Sequence, residues 1–304
     1  MRRIVLLIGL LAALGAIAAG CGGEEGEDDD AAAPATTGAV AEEPDPCARE
    51  ELTLVNEDQL TIGTDNPAFP PWFEGGTPDG SDWEINDPAT GEGFESAVAY
   101  AVAEQLGFSE DEVEWAVVPF NLSFRPGPKD FDFDINQISY AEERDGAVDF
   151  SDSYYDVNQA VVTLQSSGFA DAASIEDLQG AKLGAPVGTT SYDYIVENIQ
   201  PGEDPAVYDR LDDAVSGLQN RQVDGIVVDL PTAFFITAVQ VPEGTIVGQF
   251  PSVGGQEYFG MVFEEGNPLR DCVNEALTTL SEDGTLDSIQ QEWLADKTDA
   301  PVLE

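Results

Sequence analysis

Short apolar runs and helical repeats alternate along most of the chain. Apolar residues with a period of two, or in short continuous runs, predict strands at 60–65, 113–118, 131–136, 157–164, 181–191, 223–229 and 257–263. Helical spacing or a capping residue predicts helices at 93–108, 174–180, 192–199, 212–220, from 231 onward, at 268–284 and at the C-terminus. Strands alternating with helices are typical of an α/β fold with parallel pairing, and two such units follow one another here.

The stretch 131–155 joins a predicted buried strand to the polar residues that follow it. The strand alternates aromatic or aliphatic residues with acids, and the chain then leaves the sheet through 136–139. Arg144 comes shortly after Ser139, and a guanidinium beyond a strand end can hold a carboxylate through two parallel hydrogen bonds. The alternative is an exposed arginine paired with a neighbouring acid at 142, 143 or 145.

Polar or charged residues follow four predicted strands: Asp65, Ser139 with Arg144, Thr189 with Thr190, and Asp229. Ligands of open α/β sheets lie outside the carboxyl ends of strands, so we expect these residues to surround one ligand. Arg144 and the Thr190 amide would hold a carboxylate, and Asp229 an ammonium group. Aromatic side chains, Phe69 and Phe120, would close on the rest of an α-amino acid. Alternatively, the threonines only cap a helix and the aromatics fill the core.

Composition narrows the chemistry of this chain. With 304 residues, 42% of them hydrophobic, it can form two domains of ordinary size. A net charge of −49 argues against nucleic acid and anionic lipid surfaces as partners. The absence of histidine excludes Ser-His-Asp and Cys-His catalysis and His metal ligands. We expect no cofactor and no metal site.

The N-terminus is typical of an export signal. Two arginines precede an apolar run at 4–19, which is shorter than a membrane span, and small residues precede Cys21. We expect a signal peptide at 1–20 and a lipidated Cys21, the alternative being an ordinary cleaved signal. The acidic segment that follows has almost no residues suited to a core, so 21–49 is predicted to be the lipidated cysteine and a disordered tether.

Two further cysteines, Cys47 and Cys272, remain in an exported chain. Thiols in oxidising compartments commonly pair, so we expect a disulfide between the start of the folded body and the helix at 268–284.

Six segments carry a resemblance to a known family: GTDNPAFPPWF, GFESAVAYAVAEQLG, NQISYAEERDGAVDFSDSYY, DLQGAKLGAPVGTTSYDY, QVDGIVVD and VNEALTTLSEDGTLDSIQQEW. With these segments in this order, residues 60–295 resemble the family 3 extracellular solute-binding proteins, the amino-acid receptors of ABC importers. The resemblance implies a type II periplasmic-binding-protein fold, with two α/β lobes, two crossing strands and a ligand cleft. The implied boundaries are 50–153 plus 259–304 for lobe 1, 159–253 for lobe 2, and hinges near 154–158 and 254–258.

The resemblance also assigns roles to residues. The family's carboxylate-binding arginine falls on Arg144, its ammonium-binding acid on Asp229, and its pocket aromatics on Phe69 and Phe120. Its remaining ligand contacts fall on Asp65, Gln137, Ser139, Thr189 and Thr190. The chain departs from the family at the loop 121–130, at Pro186 and at Gln137, where glycine is common. Gln137 is thus open to contact a ligand through its side chain or its backbone.

The implied function is capture of an amino acid or similar zwitterion for a membrane permease, by a monomer lipid-anchored to the outer face of the cell membrane or free in the periplasm. Such a protein is not an enzyme. Two alternatives stay open: a ligand-sensing subunit, or a dehydratase-type enzyme on the same fold.

Overall fold

The computed structural model describes residues 45–251, 257–294 and 300–303 of the chain. It contains twelve strands in these parts: β1 Leu60–Thr64, β2 Val113–Val117, β3 Phe133–Asp134, β4 Val148–Phe150, β5 Tyr155–Asp156, β6 Gln159–Leu164, β7 Leu183–Pro186, β8 Ala206–Tyr208, β9 Gly225–Asp229, β10 Gly244–Gln249, β11 Tyr258–Phe259 and β12 Val262–Glu264. The α-helices there are α1 Phe94–Gln105, α2 Phe120–Ser123, α3 Thr190–Tyr194, α4 Leu211–Gln219, α5 Leu230–Phe235, α6 Leu269–Glu282 and α7 Thr285–Leu294. Helices α3 and α5 continue as π-helical turns at Ile195–Ile199 and Ile236–Gln240.

The first lobe is built on a sheet with the strand order β2-β1-β3-β12-β4. Strand β1 is parallel to β2 and β3, whereas β12 runs antiparallel to β3 and β4. Helices α1, α6 and α7 pack together against one face, where the core includes Ile62, Val98, Val273 and Leu294. Burying these apolar faces supplies most of the driving force for this lobe.

The second lobe is built on a sheet with the order β10-β6-β9-β7-β8. Strands β9, β7 and β8 are parallel to one another. At one side of them, β6 pairs antiparallel to β9, and β10 pairs antiparallel to β6. Alternate residues of its strands point to opposite faces and enter two cores. Helices α4 and α5 contribute to one core, and α3 to the other.

Two short antiparallel strands, β5 and β11, form a separate ribbon where the chain passes from one lobe to the other. Along the chain, β5 lies between β4 of the first sheet and β6 of the second, and β11 lies between β10 of the second sheet and β12 of the first. The molecule is therefore a two-lobed α/β protein, as expected from sequence, and the predicted fold class is confirmed.

The start of the described chain corrects the predicted tether, which extended to residue 49. Cys47 forms a disulfide with Cys272 of α6, with the two Cα atoms 5.3 Å apart, so the expected pairing is present. Arg49 makes a bidentate ion pair with Glu112, with nitrogen–oxygen distances of 2.6 and 2.8 Å. These contacts attach residues 45–49 to the first lobe. The predicted signal peptide and Cys21 lie outside the described residues, as does the tether up to residue 44.

The end of the chain corrects the predicted lobe boundary, which assigned everything from 259 to 304 to the first lobe. Residues 300–303 lie against β10 of the second lobe. The Gln249 amide donates to the Pro301 carbonyl at 2.7 Å, and the Leu303 amide donates to the Gln249 carbonyl at 2.9 Å. Leu303 is only 2% exposed and belongs to a core of that lobe.

Several predicted elements differ in extent from those observed. The strand predicted at 257–263 is two short strands, β11 and β12, separated at Gly260 and Met261. The strand at 131–136 is reduced to the two residues of β3. Strands β8 and β10 were not predicted, since β8 has only three residues and both are only partly buried, without a clear apolar alternation. Within the described residues, no helix is long and apolar enough to cross a membrane.

Candidate functional site

A cavity of about 280 Å³ lies between the two lobes. Its wall includes all nine residues that were expected from sequence to surround a ligand: Asp65, Phe69, Phe120, Gln137, Ser139, Arg144, Thr189, Thr190 and Asp229. They come from the carboxyl ends of β1, β2, β3, β7 and β9 and from the segments that follow them. Parallel strands end at one edge of a sheet, which is why residues distant in sequence meet here.

Arg144 is buried in the cavity wall, with 8% of its surface exposed. Its guanidinium donates to the Ser139 carbonyl at 2.5 Å and to the Gly188 carbonyl of the second lobe at 2.8 Å. It also stacks over the ring of Phe124 at 4.3 Å. Burial lowers the pKa of Arg144 below its usual value, but an arginine stays charged in proteins. Within the described part of the chain, no carboxylate lies within ion-pair distance, so this arginine is not an exposed pair.

Gln137 turns its side chain away from solvent and toward Glu95 of α1. Both the backbone amide of Gln137, at 2.7 Å, and its side-chain amide donate to the Glu95 carboxylate. Its φ of +48° is in the left-handed region, which is uncommon for a residue other than glycine. Gln137 lines the cavity, but both its backbone amide and its side-chain amide are directed to Glu95. Tyr154 also donates to Glu95, whose burial raises its pKa to about 7.

Three hydroxyl residues of the wall have different tasks. Thr189 caps α3: its Oγ1 accepts the Tyr192 amide and donates to the Pro186 carbonyl at 2.8 Å. Thr190 begins the helix and approaches Ser139 of the first lobe, with 3.2 Å between the two hydroxyl oxygens. The first amides of a helix have no partner within it, so this turn offers donors for a carboxylate.

Asp229 ends β9 and caps α5, where its Oδ1 accepts the Thr232 amide at 3.0 Å. Burial raises the pKa of this carboxyl group to about 6, although the capping bond opposes the shift. The negative charge of Glu257 adds to the increase. A carboxylate whose charged form is disfavoured by burial is stabilised by an ammonium partner.

The aromatic residues of the loop after β1 divide between cavity and core. Phe69 lines the cavity and approaches Phe235 of the second lobe, with ring centroids 6.5 Å apart. Trp72 is fully buried in the first lobe, where its indole nitrogen donates to Thr232 of the second lobe at 3.0 Å. Phe73 is 1% exposed and touches both core and cavity. Phe120 begins the short helix α2, within the predicted loop, and lines the cavity.

The part of the cavity wall that follows β8, named the far end, contains charged residues that were not predicted: Asp209, Arg210 and Asp212. They follow β8, so prediction of that strand would have placed them at a strand end beside the others. Arg210 donates to the Asn66 carbonyl of the first lobe at 3.1 Å. Asp65 belongs to the same end, and burial raises its pKa while the charge of Arg210 opposes the increase.

Gln159 also lines the cavity and was not predicted. It is the first residue of β6 and is paired with Asp229, because β6 runs antiparallel to β9. Its beginning therefore lies beside the carboxyl end of β9. Glu257, just before β11, connects Gln159 with two of the hydroxyl residues of the wall. Its carboxylate accepts hydrogen bonds from Ser139 Oγ, Thr190 Oγ1 and Gln159 Nε2.

Metal binding has no support in the described residues. Within 45–251, 257–294 and 300–303, no group of three or more Cys, Asp or Glu side chains is arranged to hold an ion. The chemistry that this cavity offers is the binding of charged and polar groups by fixed side chains.

The sequence pattern of the bacterial extracellular solute-binding proteins, family 3, matches residues 60–296. The chain belongs to this family. The match covers both lobes, and the family resemblance noted from sequence is confirmed. The description of the family places its members outside the cell.

Two curated relatives illustrate the similarity. The L-cystine-binding protein TcyJ of Escherichia coli K12 is 30% identical over 205 residues, covering 66% of this chain and 73% of that protein. The arginine-binding extracellular protein ArtP of Bacillus subtilis is 25% identical over 205 residues, covering 66% and 77%.

Solved structures show the same fold. The substrate binding protein of an amino acid ABC transporter has a TM-score of 0.63 and 26% identity, covering 78% of this chain and 99% of that one. The arginine-, lysine-, histidine-binding protein ArtJ of Geobacillus stearothermophilus has a TM-score of 0.63 at 22% identity, covering 79% and 97%.

Proposed function

We propose that this member of the family is the substrate-binding component of an ABC importer and that it binds an α-amino acid between its lobes. The observation that carries the proposal is a buried arginine, Arg144, in the wall of the same cavity as an acid, Asp229, from the other lobe. An α-amino acid needs a cation for its carboxylate and an anion for its ammonium group. The names of the curated relatives, which bind cystine or arginine, agree with this ligand class.

The first candidate is an amino acid with a cationic side chain, represented by L-arginine. Besides Arg144 and Asp229, the charged residues of the cavity wall are Asp65, Asp209, Asp212 and Arg210. Three acids and one base leave an excess of negative charge at the far end. A guanidinium or ammonium group there would be attracted by that excess.

The second candidate is L-cystine, which has an amino-acid group at each end. Arg210 favours it, because a second arginine beside acids at the far end could hold a second zwitterion. The relative with 30% identity is an L-cystine-binding protein. The cavity volume of about 280 Å³ suits a metabolite rather than a macromolecule.

A thermal-shift screen of the proteinogenic amino acids, L-cystine, small amines and dicarboxylates tests the proposal, followed by calorimetry of the compounds that stabilise the protein. We expect L-arginine or L-cystine to raise the melting temperature through binding to the folded state. A screen in which no amino acid binds, while an acid lacking an amine does, contradicts the proposed ligand class.

The variant Arg210→Ala separates the two candidates. It removes the only far-end cation among the described cavity residues. L-Cystine binding would weaken by about tenfold through loss of a carboxylate partner, whereas L-arginine binding would stay unchanged or tighten. Arg125→Ala serves as a control because that arginine is exposed and outside the cavity wall.

Membrane attachment is a further part of the proposal. An apolar N-terminal run before Cys21 and an acidic segment after it suit a lipid anchor and a tether that bring the lobes to a permease. Metabolic labelling with a radioactive fatty acid should mark the wild-type protein but not Cys21→Ser. Loss of membrane association in that variant would support the anchor, and equal labelling would contradict it.

The protein is proposed to act by binding without chemical turnover. The curated relatives named above are binding proteins, and closure of two lobes on a solute gives a permease a signal without any reaction. Incubation of bound L-arginine or L-cystine with the protein should leave the compound unchanged by mass spectrometry. Conversion would favour the enzyme alternative.

A further inference from the structure

Glu257 immediately precedes β11, one of the two strands that cross between the lobes. Its carboxylate oxygen Oε1 accepts from Ser139 Oγ at 2.7 Å, Thr190 Oγ1 at 2.6 Å and Gln159 Nε2 at 3.1 Å. Ser139 belongs to the first lobe, whereas the other two donors belong to the second. These three donor residues line the cavity. Glu257 is not one of the described residues that line it. Glu257 thus connects both lobes from behind the cavity wall.

The orientation of Gln159 is fixed by a further bond. Its side-chain oxygen accepts from the Ser191 hydroxyl at 2.6 Å, so its side-chain nitrogen is the atom that faces Glu257. An ionised carboxylate can only accept hydrogen bonds, so the amide nitrogen of Gln159 faces Glu257 and its oxygen is left for the Ser191 hydroxyl.

Each of the Ser139 and Thr190 hydroxyls has a single hydrogen, and its direction determines whether the hydroxyl can donate to a solute or only accept from it. Serine and threonine hydroxyls each have one proton to donate and two lone pairs to accept with. Ser139 and Thr190 both direct that proton to Glu257. Thr190 Oγ1 also accepts weakly from Gln159 Nε2 at 3.4 Å, which leaves each oxygen with at least one lone pair to accept with. Acceptors suit an ammonium group, whereas a carboxylate must use Arg144 and backbone amides.

The charge of Glu257 acts on the two residues proposed to hold the solute. Burial lowers the pKa of Arg144, and the negative charge of Glu257 is one of those that oppose the shift. Burial raises the pKa of Asp229, and the charge of Glu257 adds to that increase. The site thus combines one arginine with the negative charges of Asp229, in the cavity wall, and of Glu257, behind it. A solute with a carboxylate but no amine adds a third negative charge without bringing a positive one, and like charges at short distance are costly.

We propose that Glu257 is a positioning residue that makes the site selective for solutes with an amine beside the carboxylate. Its carboxylate accepts hydrogen bonds from the Ser139 and Thr190 hydroxyls, so these hydroxyls do not donate to the solute. The same hydrogen bonds join the two lobes. The inference rests on the proposed function, because the selectivity concerns an amino acid. Its lobe-joining part does not depend on the identity of the solute.

The first experiment measures the separation of the lobes without added solute. Spin labels at Glu104→Cys in α1 and at Glu197→Cys after α3, both exposed positions, report the distance by electron–electron double resonance. The full chain with Cys21→Ser is used, so that only the introduced cysteines react. Glu257→Ala should lengthen the mean distance, whereas Glu257→Gln, which keeps an acceptor oxygen, should change it less. Glu265→Ala, an exposed neighbouring acid, is the control.

The second experiment compares L-arginine with its des-amino analogue by calorimetry. We expect Glu257→Ala to reduce the ratio of the two affinities by about tenfold, since the hydroxyls of Ser139 and Thr190 are then free to turn their hydrogens toward the solute. A residue with a merely structural role would weaken both compounds equally. Glu257→Gln should keep the fold and still reduce the ratio, because it removes the charge.

The two readouts together decide the proposal. A longer lobe distance and a reduced ratio support it. An affinity ratio that stays within about twofold of the parent in both variants overturns it, even if both affinities fall. If the parent does not bind L-arginine, that result contradicts L-arginine as the solute, and the lobe distance alone decides about Glu257. An unchanged distance in Glu257→Ala then overturns the inference.

Discussion

Arg144 and Asp229 place opposite charges in the wall of one cavity. Burial acts on both in the direction that disfavours charge, lowering the pKa of Arg144 and raising that of Asp229. Each charge is therefore costly until it meets a partner of opposite sign. A zwitterion supplies both partners at once, which is the physical basis for the proposed selectivity.

The substitution Arg144→Ala should weaken amino-acid binding by at least about 100-fold, because a buried charge-assisted pair is costly to break. The fold should persist, since the arginine contacts backbone carbonyls at the cleft and not a core. Calorimetry with L-arginine and circular dichroism check the two statements. Arg125→Ala, which removes an exposed arginine, should bind normally. Near-normal affinity in Arg144→Ala would refute the proposed carboxylate anchor.

Amino-acid affinity should fall as the pH is lowered through about 6. Asp229 has its pKa raised to about 6 in the solute-free site, and it must be ionised to hold an ammonium group. Below that pH, binding requires loss of a proton, so the affinity falls by up to about tenfold per pH unit. Above about pH 7 this contribution is constant. Calorimetry across pH 5–8 should show the slope, and Asp229→Asn should bind weakly without it. A flat profile in the parent contradicts the assignment.

At the scale of elements, the strand ends and the segments after them determine the site. Strand β1 delivers Asp65, β7 leads to Thr189 and Thr190, and β9 ends at Asp229. Helix α1 has a less obvious part, because its Glu95 holds Gln137 in the left-handed conformation at the turn after β3. The backbone beside Ser139 is thereby shaped by a helix that lies outside the cavity wall.

The disulfide attaches the first described residues to helix α6. Cys47 and Cys272 are 225 residues apart, and closing so long a loop in the unfolded chain corresponds to about 5 kcal/mol in the loop-entropy relation. Reduction should therefore lower the melting temperature by about 10 °C for a protein of this size. Differential scanning calorimetry with and without a reducing agent measures this. The double variant Cys47→Ser/Cys272→Ser should melt early and show no response to the reducing agent. No change in the parent would contradict a stabilising bond.

At the scale of the whole molecule, the two lobes are connected by more than the predicted crossing strands. The end of helix α7, at Leu294, lies in the core of the first lobe, and residues 300–303 lie against β10 of the second. Side-chain contacts add to this, as between Trp72 and Thr232 and between Arg144 and Gly188. The two lobes are therefore joined both by the chain itself and by side-chain hydrogen bonds between them.

Leu303→Ala should lower the free energy of unfolding by about 2–5 kcal/mol, as for a buried leucine. Leu303 is 2% exposed in a core of the second lobe, whereas its neighbour Val302 is 52% exposed. Val302→Ala is thus a matched control and should change stability by less than about 0.5 kcal/mol. Urea unfolding followed by fluorescence measures both variants. Equal, small effects would show that the C-terminal segment does not contribute a buried anchor.

Most helices and central strands could be predicted because their apolar periodicity is local. Helix α6 is an example, since Leu269, Cys272 and Val273 fall on one face in sequence and are buried in the structure. Strand β8 has only three residues, in which apolar and polar positions do not alternate clearly, so it could not be predicted. Asp209, Arg210 and Asp212, which follow it and line the cavity, were not predicted for the same reason. Gln159 was missed for another reason: it begins a strand, and only antiparallel pairing brings it beside Asp229.

The sequence alone determined the family, the two-lobed α/β fold and the pairing of Cys47 with Cys272. Local periodicity and short motifs carry the fold and the family, because each depends on residues close together in the chain. The disulfide follows instead from there being only two further cysteines in a chain with an export signal. The tertiary structure decided that nine predicted residues share one cavity, that the side chain of Gln137 turns to Glu95, and that residues 300–303 return to the second lobe. It also brought Glu257 between hydroxyls of both lobes. These features depend on contacts between distant segments, which exist only once the lobes have folded and come together.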